Sequence, residues 1–406
     1  LIVKPQHETL AQNLFENTGV DIQVNGTRHL GAAIGTQTFI EEYIKKKVEK
    51  WQTELQTLTS FALTEPQAAY SAFVFGLKGK WNFLQRTMPN TSHLFVSLEE
   101  AIRNNFLPSL TGHPISQLER DVLSLPTRNG GLGIVNPVET APHSFKESTK
   151  ITEELTSKIR EQKWDCPSAE TTKEVKLKVI QNKRKQEKEK HAQIKKKIQE
   201  EEGTKKSGVT LLKVLECSSV KGASSWLTTL PLQDENRVLN KCEFRDALAM
   251  RYGWKPKNLP QKCACGKDNS IAHCLDCKLG GFVSMRHDQI RNTIARLMTK
   301  AGCKSVEIEQ QLLPVEGELD GIKGVEKGDE ARMDVTAVGF WGACQRAFFD
   351  IRVCDPFAPS YSRKPIPSLL KSQEKEKKKK YNKRILEIEK STFTPLVFMA
   401  AAKNAI

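Results

Sequence analysis

A chain of 406 residues with 63 Lys and Arg against 48 Asp and Glu carries a formal charge of +15. That balance points to an anionic partner and places nucleic acid ahead of an acidic membrane surface. No apolar run approaches the length of a membrane span, so a soluble protein is expected. The 10 cysteines are scattered apart from one cluster, which excludes a secreted disulfide framework and fits a reducing compartment.

The opening Leu1-Ile2-Val3-Lys4-Pro5 has neither an initiator Met nor a signal-peptide layout and reads as the interior of a longer polypeptide. Gly26, Gly31 and Gly35 then punctuate a turn-rich stretch. Over 38–62, Ile40, Ile44, Val48, Trp51, Leu55, Leu58 and Ala62 recur at steps of three and four, the stripe of an amphipathic helix. Pro66 opens a second helix over 67–84, and a third is expected over 97–105. Arg128-Asn129-Gly130-Gly131-Leu132-Gly133 lacks the spacing of a phosphate-binding loop and reads as a tight turn.

The stretch 171–206 is dense in Lys, Glu and Gln, which predicts a solvated helix or a flexible linker and places a domain boundary there. Globular character returns from residue 218, with a short helix starting at Lys241. The expected fold class is a multidomain α + α/β protein. Its segments are a helical region (1–145), a charged helical linker (146–207), a small helical segment (208–260), a Cys/His module (261–280) and an α/β domain (281–406).

Cys263, Cys265, His273 and Cys277 follow the spacing C-x-C-x7-H-x3-C. Zinc takes four soft or borderline ligands in a tetrahedron, and a short loop can supply two from each end. The polar seven-residue gap lets the chain fold back. Cys274 adjoins His273 and is an alternative fourth ligand. A module this small implies structural Zn²⁺ rather than a catalytic centre. Beyond it, a helix is predicted over 286–301, and strands over 305–313, 331–339 and 345–354. Alternation puts Met333, Val335 and Ala337 on one face of the second strand and Asp334 on the other. In the third, Phe349, Ile351 and Val353 oppose Asp350 and Arg352. If those strands pair, Asp334 and Asp350 converge. In the first strand the acidic candidates are Glu307 and Glu309, with Glu309 preferred. Convergent carboxylates suit Mg²⁺, and Arg352 would act only as an electrostatic helper.

Two sets of motifs carry a family resemblance. Arg28-His29-Leu30-Gly31-Ala32-Ala33-Ile34-Gly35, Lys47-Val48-Glu49-Lys50-Trp51, Pro66-Gln67-Ala68-Ala69-Tyr70 and Gly130-Gly131-Leu132-Gly133 resemble the thumb and connection that follow the palm in retroelement reverse transcriptases. The Cys/His cluster, Gly280-Gly281-Phe282, Arg286-His287-Asp288, Arg291, Arg332-Met333-Asp334, Phe348-Phe349-Asp350-Ile351-Arg352 and Phe393-Thr394-Pro395 resemble the restriction-like endonuclease region of non-LTR retrotransposon proteins. Together they cover most of the chain outside the linker.

The resemblance implies the C-terminal part of such a protein: thumb and connection, zinc knuckle, and a Mg²⁺-dependent nuclease that nicks DNA to prime reverse transcription. It implies Asp334 and Asp350 as Mg²⁺ ligands, Glu309 as a third acidic residue, and Lys377 or Lys378 as the nuclease lysine beside Arg352. Arg286, His287 and Arg291 would face nucleic acid. The implied partners are target DNA, retroelement RNA and a polymerase palm upstream in the same polypeptide; the implied location is the nucleus, after cytoplasmic synthesis. The chain has no Asp-Asp pair, so it is not expected to polymerise. Met333 stands where such nucleases commonly have proline, and the tail from Met399 to Asn404 departs from a glycine-rich ending. The alternative is a non-catalytic remnant that binds nucleic acid.

Overall fold

The computed structural model describes residues 1–163, 168–202, 211–235, 237–279, 282–313, 331–361 and 364–400. Gly280, Gly281 and the tail beyond residue 400 lie outside the described residues. The chain divides into two compact units: Leu1–Glu201 with Leu227–Asp246, and Glu202–Trp226 with Ala247–Ile406.

The first unit holds α1 (Glu8–Leu14), the hairpin β1 (Gly26–His29) and β2 (Ala32–Gly35), then α2 (Gln37–Ala62), α3 (Pro66–Ala72), α4 (Gly79–Thr87), α5 (Val96–Ala101), α6 (Leu107–Thr111), α7 (Gln117–Ser124), α8 (Pro137–Arg160) and α9 (Ala169–Glu202). The Thr36 hydroxyl caps α2 by accepting from the Phe39 N–H. The predicted stripe then buries Ile44, Val48, Trp51, Leu55 and Ala62. Trp51 and Phe73 both pack against Trp81, with ring centroids 6.0 Å away in each case. Phe73 also stacks on Phe106 at 4.8 Å. The turn-rich stretch proves to be a hairpin, and Leu30 and Gly31 take the positive φ of its two-residue turn. Gly131 is required by space, since a Cβ there would lie 2.0 Å from the Leu125 carbonyl oxygen.

The expected linker holds the last part of α8 and then the long helix α9, which belongs to the first unit through Glu201. It buries Val179, Ile194 and Ile198. Lys190 bonds Glu139 at 2.6 Å and Lys197 bonds Asp121 at 3.0 Å, while Glu187 pairs with Arg128.

The second unit contains α10 (Leu211–Ser218), α13 (Ile271–Asp276), α14 (Phe282–Lys300), β3 (Lys304–Gln311), β4 (Arg332–Val338), β5 (Arg346–Cys354), α15 (Ile366–Glu387) and β6 (Thr392–Met399); α11 (Ser225–Thr228) and the start of α12 (Lys241–Tyr252) fall at its boundary with the first. The sheet order is β3-β4-β5-β6, antiparallel except for the parallel β5–β6 pair. On one face Ala295 and Met298 of α14 pack against Val335, Ala337, Phe349 and Ile351. On the other, Tyr381 and Ile385 of α15 pack against Met333, Phe348 and Phe393. A third cluster joins Val214 and Cys217 of α10, Leu275 of α13, Cys354, Ile366, Leu369 and Met399.

The three predicted strands form, but the alternation expected in β4 does not hold. Met333 faces α15 while Val335 and Ala337 face α14. The change falls where pairing breaks: β4 and β5 are joined from Val338↔Arg346 to Val335↔Phe349 and no further. Beyond that point β4 stays with β3 alone, through Gln310↔Met333 and Gln311↔Arg332. In β5 the expected faces are observed. The strand β6 escapes sequence reading because Pro395 lies within it, where it pairs with Asp350 across the parallel register.

Phe348 is fully buried between the sheet and α15. Phe348→Ala should therefore lower the unfolding free energy of the second unit by about 3–5 kcal/mol, read as a fall in its urea midpoint with an unchanged slope.

Candidate functional site

The break between β4 and β5 sets the geometry of the candidate site. Ile351 keeps the strand parity of Phe349, so its N–H and C=O point toward the edge that β4 has left. The Asp334 carboxylate fills that place: its Oδ2 accepts the Ile351 N–H at 2.5 Å. The Ile351 carbonyl accepts instead from His287 Nε2 of α14 at 3.2 Å, and the same Nε2 lies 3.4 Å from Asp334 Oδ2. The hydrogen bond with Asp334 raises the His287 pKa above its ordinary value against the opposing effect of burial. His287 Nδ1 is 3.5 Å from Asp288.

Asp350 points to the α15 face of the same strand, and its side chain is 6% exposed. Lys377 reaches it from α15, with Nζ 2.8 Å from Oδ2 and 3.1 Å from Oδ1. Only the contact with Oδ1 has hydrogen-bond direction. Oδ2 is thus buried with a cation beside it and no hydrogen bond aimed at it. Burial raises the Asp350 carboxyl above the usual carboxylate range; Lys377 opposes that shift and the nearby Asp334 charge adds to it.

The remaining expected residues take other places. Arg352 donates from Nε to Gln373 at 3.1 Å rather than to either aspartate. Lys378 is exposed on α15. Glu309 falls opposite Asp334 in the β3–β4 register, but its carboxylate pairs with Arg291 and lies 3.9 Å from Arg332. No contact among the described residues joins it to Asp334 or Asp350. Its backbone is also in the left-handed region, at φ 53°.

Of the residues expected to face nucleic acid, Arg286 donates to the Leu275 carbonyl at 3.0 Å and Arg291 to Glu309. His287 serves Asp334 and Ile351. All three are engaged within the unit. The part His287 plays at the carboxylates was not legible in the sequence, where only the Arg-His-Asp run at a helix start drew attention.

The Cys/His cluster forms from two local devices. Around the first pair, Cys263 N–H donates to the Lys267 carbonyl and Gly266 N–H to that of Cys263, with Gly266 at φ +83° closing the turn. For the second pair, Ser270 caps α13 by accepting from His273 N–H at 3.1 Å. One helical turn then separates His273 from Cys277. Ligand atoms of Cys263, Cys265, His273 and Cys277 all lie within 4.8 Å of one another. The Cys263 and Cys277 sulfurs are 3.7 Å apart. A tetrahedral zinc with Zn–S bonds of about 2.3 Å calls for about 3.8 Å. The backbone N–H of Cys265, aided by His273, lowers the Cys263 thiol to about 6, which favours the thiolate that ligates metal. This Cys₃His set fits a metal such as zinc. Cys274 turns away, its sulfur 3.5 Å from Asn269 Oδ1, which leaves His273 as the fourth ligand.

No protein-family model matches the chain, and no curated protein matches it in sequence. No described helix is long and apolar enough to cross a membrane.

Elemental analysis should find one zinc per chain; Cys265→Ser should lose it and Cys274→Ser should retain it. A second expectation concerns pH. The folded Asp350 pKa is raised above its unfolded value, so the ionised form costs stability that returns as pH falls through the folded pKa. Lys377→Met removes the opposing cation and pushes that pKa higher. The variant should lose up to about 3–5 kcal/mol at pH 8 and progressively less toward pH 5, measured by denaturant unfolding at each pH.

Proposed function

We propose that the second unit is a Mg²⁺-dependent DNA-nicking module with an adjoining zinc knuckle, within the C-terminal part of a retroelement reverse transcriptase. One observation carries this reading: a buried Asp350 with no hydrogen bond to Oδ2, facing Lys377, one residue before the Ile351 N–H that Asp334 accepts where β4 leaves β5. Two hard oxygen donors beside one cation are a donor set for Mg²⁺. When bound there, the metal would supply an oriented water and charge stabilisation at the scissile phosphate.

The chain's own residues then have defined tasks. Lys377 favours the ionised form of Asp350 against the cost of burial. It also brings a positive charge to the place where phosphate charge would grow. The Ile351 N–H and His287 fix the rotamer of Asp334. Arg352, bonded to Gln373, supports the α15 face of β5 rather than the chemistry. The chain's charge of +15 suits a polyanionic substrate. The nick would expose a DNA 3′ end from which a polymerase, supplied by the same polypeptide upstream, would copy retroelement RNA in the nucleus.

A second reading draws on the same ion pair. Lys377 Nζ already neutralises Asp350, as it would in a unit that binds nucleic acid without cutting it.

The test is nicking of supercoiled plasmid in Mg²⁺ beside a gel-shift titration at matched salt. The parent should nick. Asp350→Asn should lose more than about 100-fold, beyond the loss that follows removal of a partner outside a ligand set. Lys377→Met should lose about 10²–10³-fold, as when a donor to developing charge is removed. Arg352→Ala should stay within about tenfold. All three should still bind, because affinity comes from lysines and arginines elsewhere. Binding without nicking in either Mg²⁺ or Mn²⁺ would favour the second reading.

A further inference from the structure

The second turn of α14 carries two consecutive side chains aimed at different sites. Arg286 donates from Nη2 to the carbonyl of Leu275 at 3.0 Å. Leu275 lies on α13 between the ligands His273 and Cys277. His287, about 100° further round the helix, holds the Ile351 carbonyl and Asp334. The Arg286 Nε is buried without a hydrogen-bond partner, while the side chain as a whole is half-buried and the Asp355 and Asp276 charges also act on it. If the Leu275 carbonyl moves, the guanidinium loses that hydrogen bond unless α14 follows it. A second contact runs in parallel: Leu275 is buried in the cluster that includes Cys354, three residues beyond Ile351 on β5.

We infer that Arg286 is a positioning residue that couples the Cys/His cluster to the carboxylate pair, through α14 and His287, so that metal occupancy of the cluster governs the placement of Asp334. The ligands fix α13; α13 presents the Leu275 carbonyl; Arg286 reads its position and sets the second turn of α14. His287 then either reaches Ile351 and Asp334 or does not. The inference deepens the nicking proposal by giving the knuckle a task at the nuclease site. It rests on the cluster binding zinc and does not require the carboxylates to be catalytic.

The Ile351 amide is a built-in reporter, because its acceptor is Asp334 Oδ2 rather than another strand. Hydrogen–deuterium exchange of the full chain, read by mass spectrometry on peptides covering 282–289 and 346–354 in Mg²⁺-free buffer, measures the coupling without any cleavage. Compared with the zinc-loaded parent, both the chelator-stripped parent and zinc-loaded Arg286→Gln should exchange about five- to tenfold faster at Ile351, the factor expected for losing one hydrogen bond. Arg286→Lys, which keeps one donor for Leu275, should recover part of the protection. Cys274→Ser should match the parent.

Unchanged exchange at Ile351 in zinc-loaded Arg286→Gln would overturn the inference, as would a stripped chain in which only α13 loses protection. If stripping unfolds the whole unit, zinc-loaded Arg286→Gln decides alone. A chain that never nicks can still show the coupling, and one that nicks with uncoupled exchange refutes only this inference.

Discussion

The second unit depends on how one interior strand is satisfied where its neighbour leaves it. Buried backbone donors and acceptors without partners are costly. The absence of β4–β5 pairing before Val335 would leave both polar groups of Ile351 in that condition. Asp334 and His287 replace the missing ladder, one side chain accepting and the other donating. Satisfying the backbone and orienting the carboxylate are therefore the same event. The two helices complete the arrangement from opposite faces, α14 bringing His287 and α15 bringing Lys377.

The charges around this site are engaged with partners inside the unit, several of them shared, as Arg291 is between Asp288 and Glu309. Asp350 has Lys377, Glu309 has Arg291, and Arg286 has a carbonyl. Other basic side chains stand on outer surfaces, such as Lys375, Lys378 and Lys379 on the exposed side of α15, where the proposed polyanion would meet them. That division separates the groups that hold the site in shape from those free to exchange counterions with a polyanion.

Much of this was legible in the chain. The stripe from Ile40 to Ala62 gave α2 nearly to the residue, since a period of 3.6 over seven turns has no competing reading. Ligand spacing gave the Cys/His cluster, because the loop closes locally and needs no distant partner. Val353, Ile351 and Phe349 share a face with α14 as alternation requires. Met333 does not share one with Val335; the change falls where β4 leaves β5, a tertiary event that a period of two in the sequence does not mark. Lys377 was reached only through family resemblance; no local pattern on α15 distinguishes it from Lys375 or Lys378, and only the tertiary fold selects which lysine faces inward. Glu309, the third acidic candidate in sequence, is captured by Arg291, 18 positions earlier.

Pro395 bears on how the sheet ends. Cys354, of the same parity as Asp350, accepts from Ala400 beyond β6, so the even positions of β5 bond toward β6. In a parallel ladder, the residue directly across from Asp350 then turns its own backbone polar groups outward. That residue is Pro395, which has no N–H to offer. The outer margin of β6 therefore lacks a donor near its middle, where a foreign strand would need one to extend the sheet. The same proline that hid the strand from pattern reading thus guards it against edge-to-edge self-association.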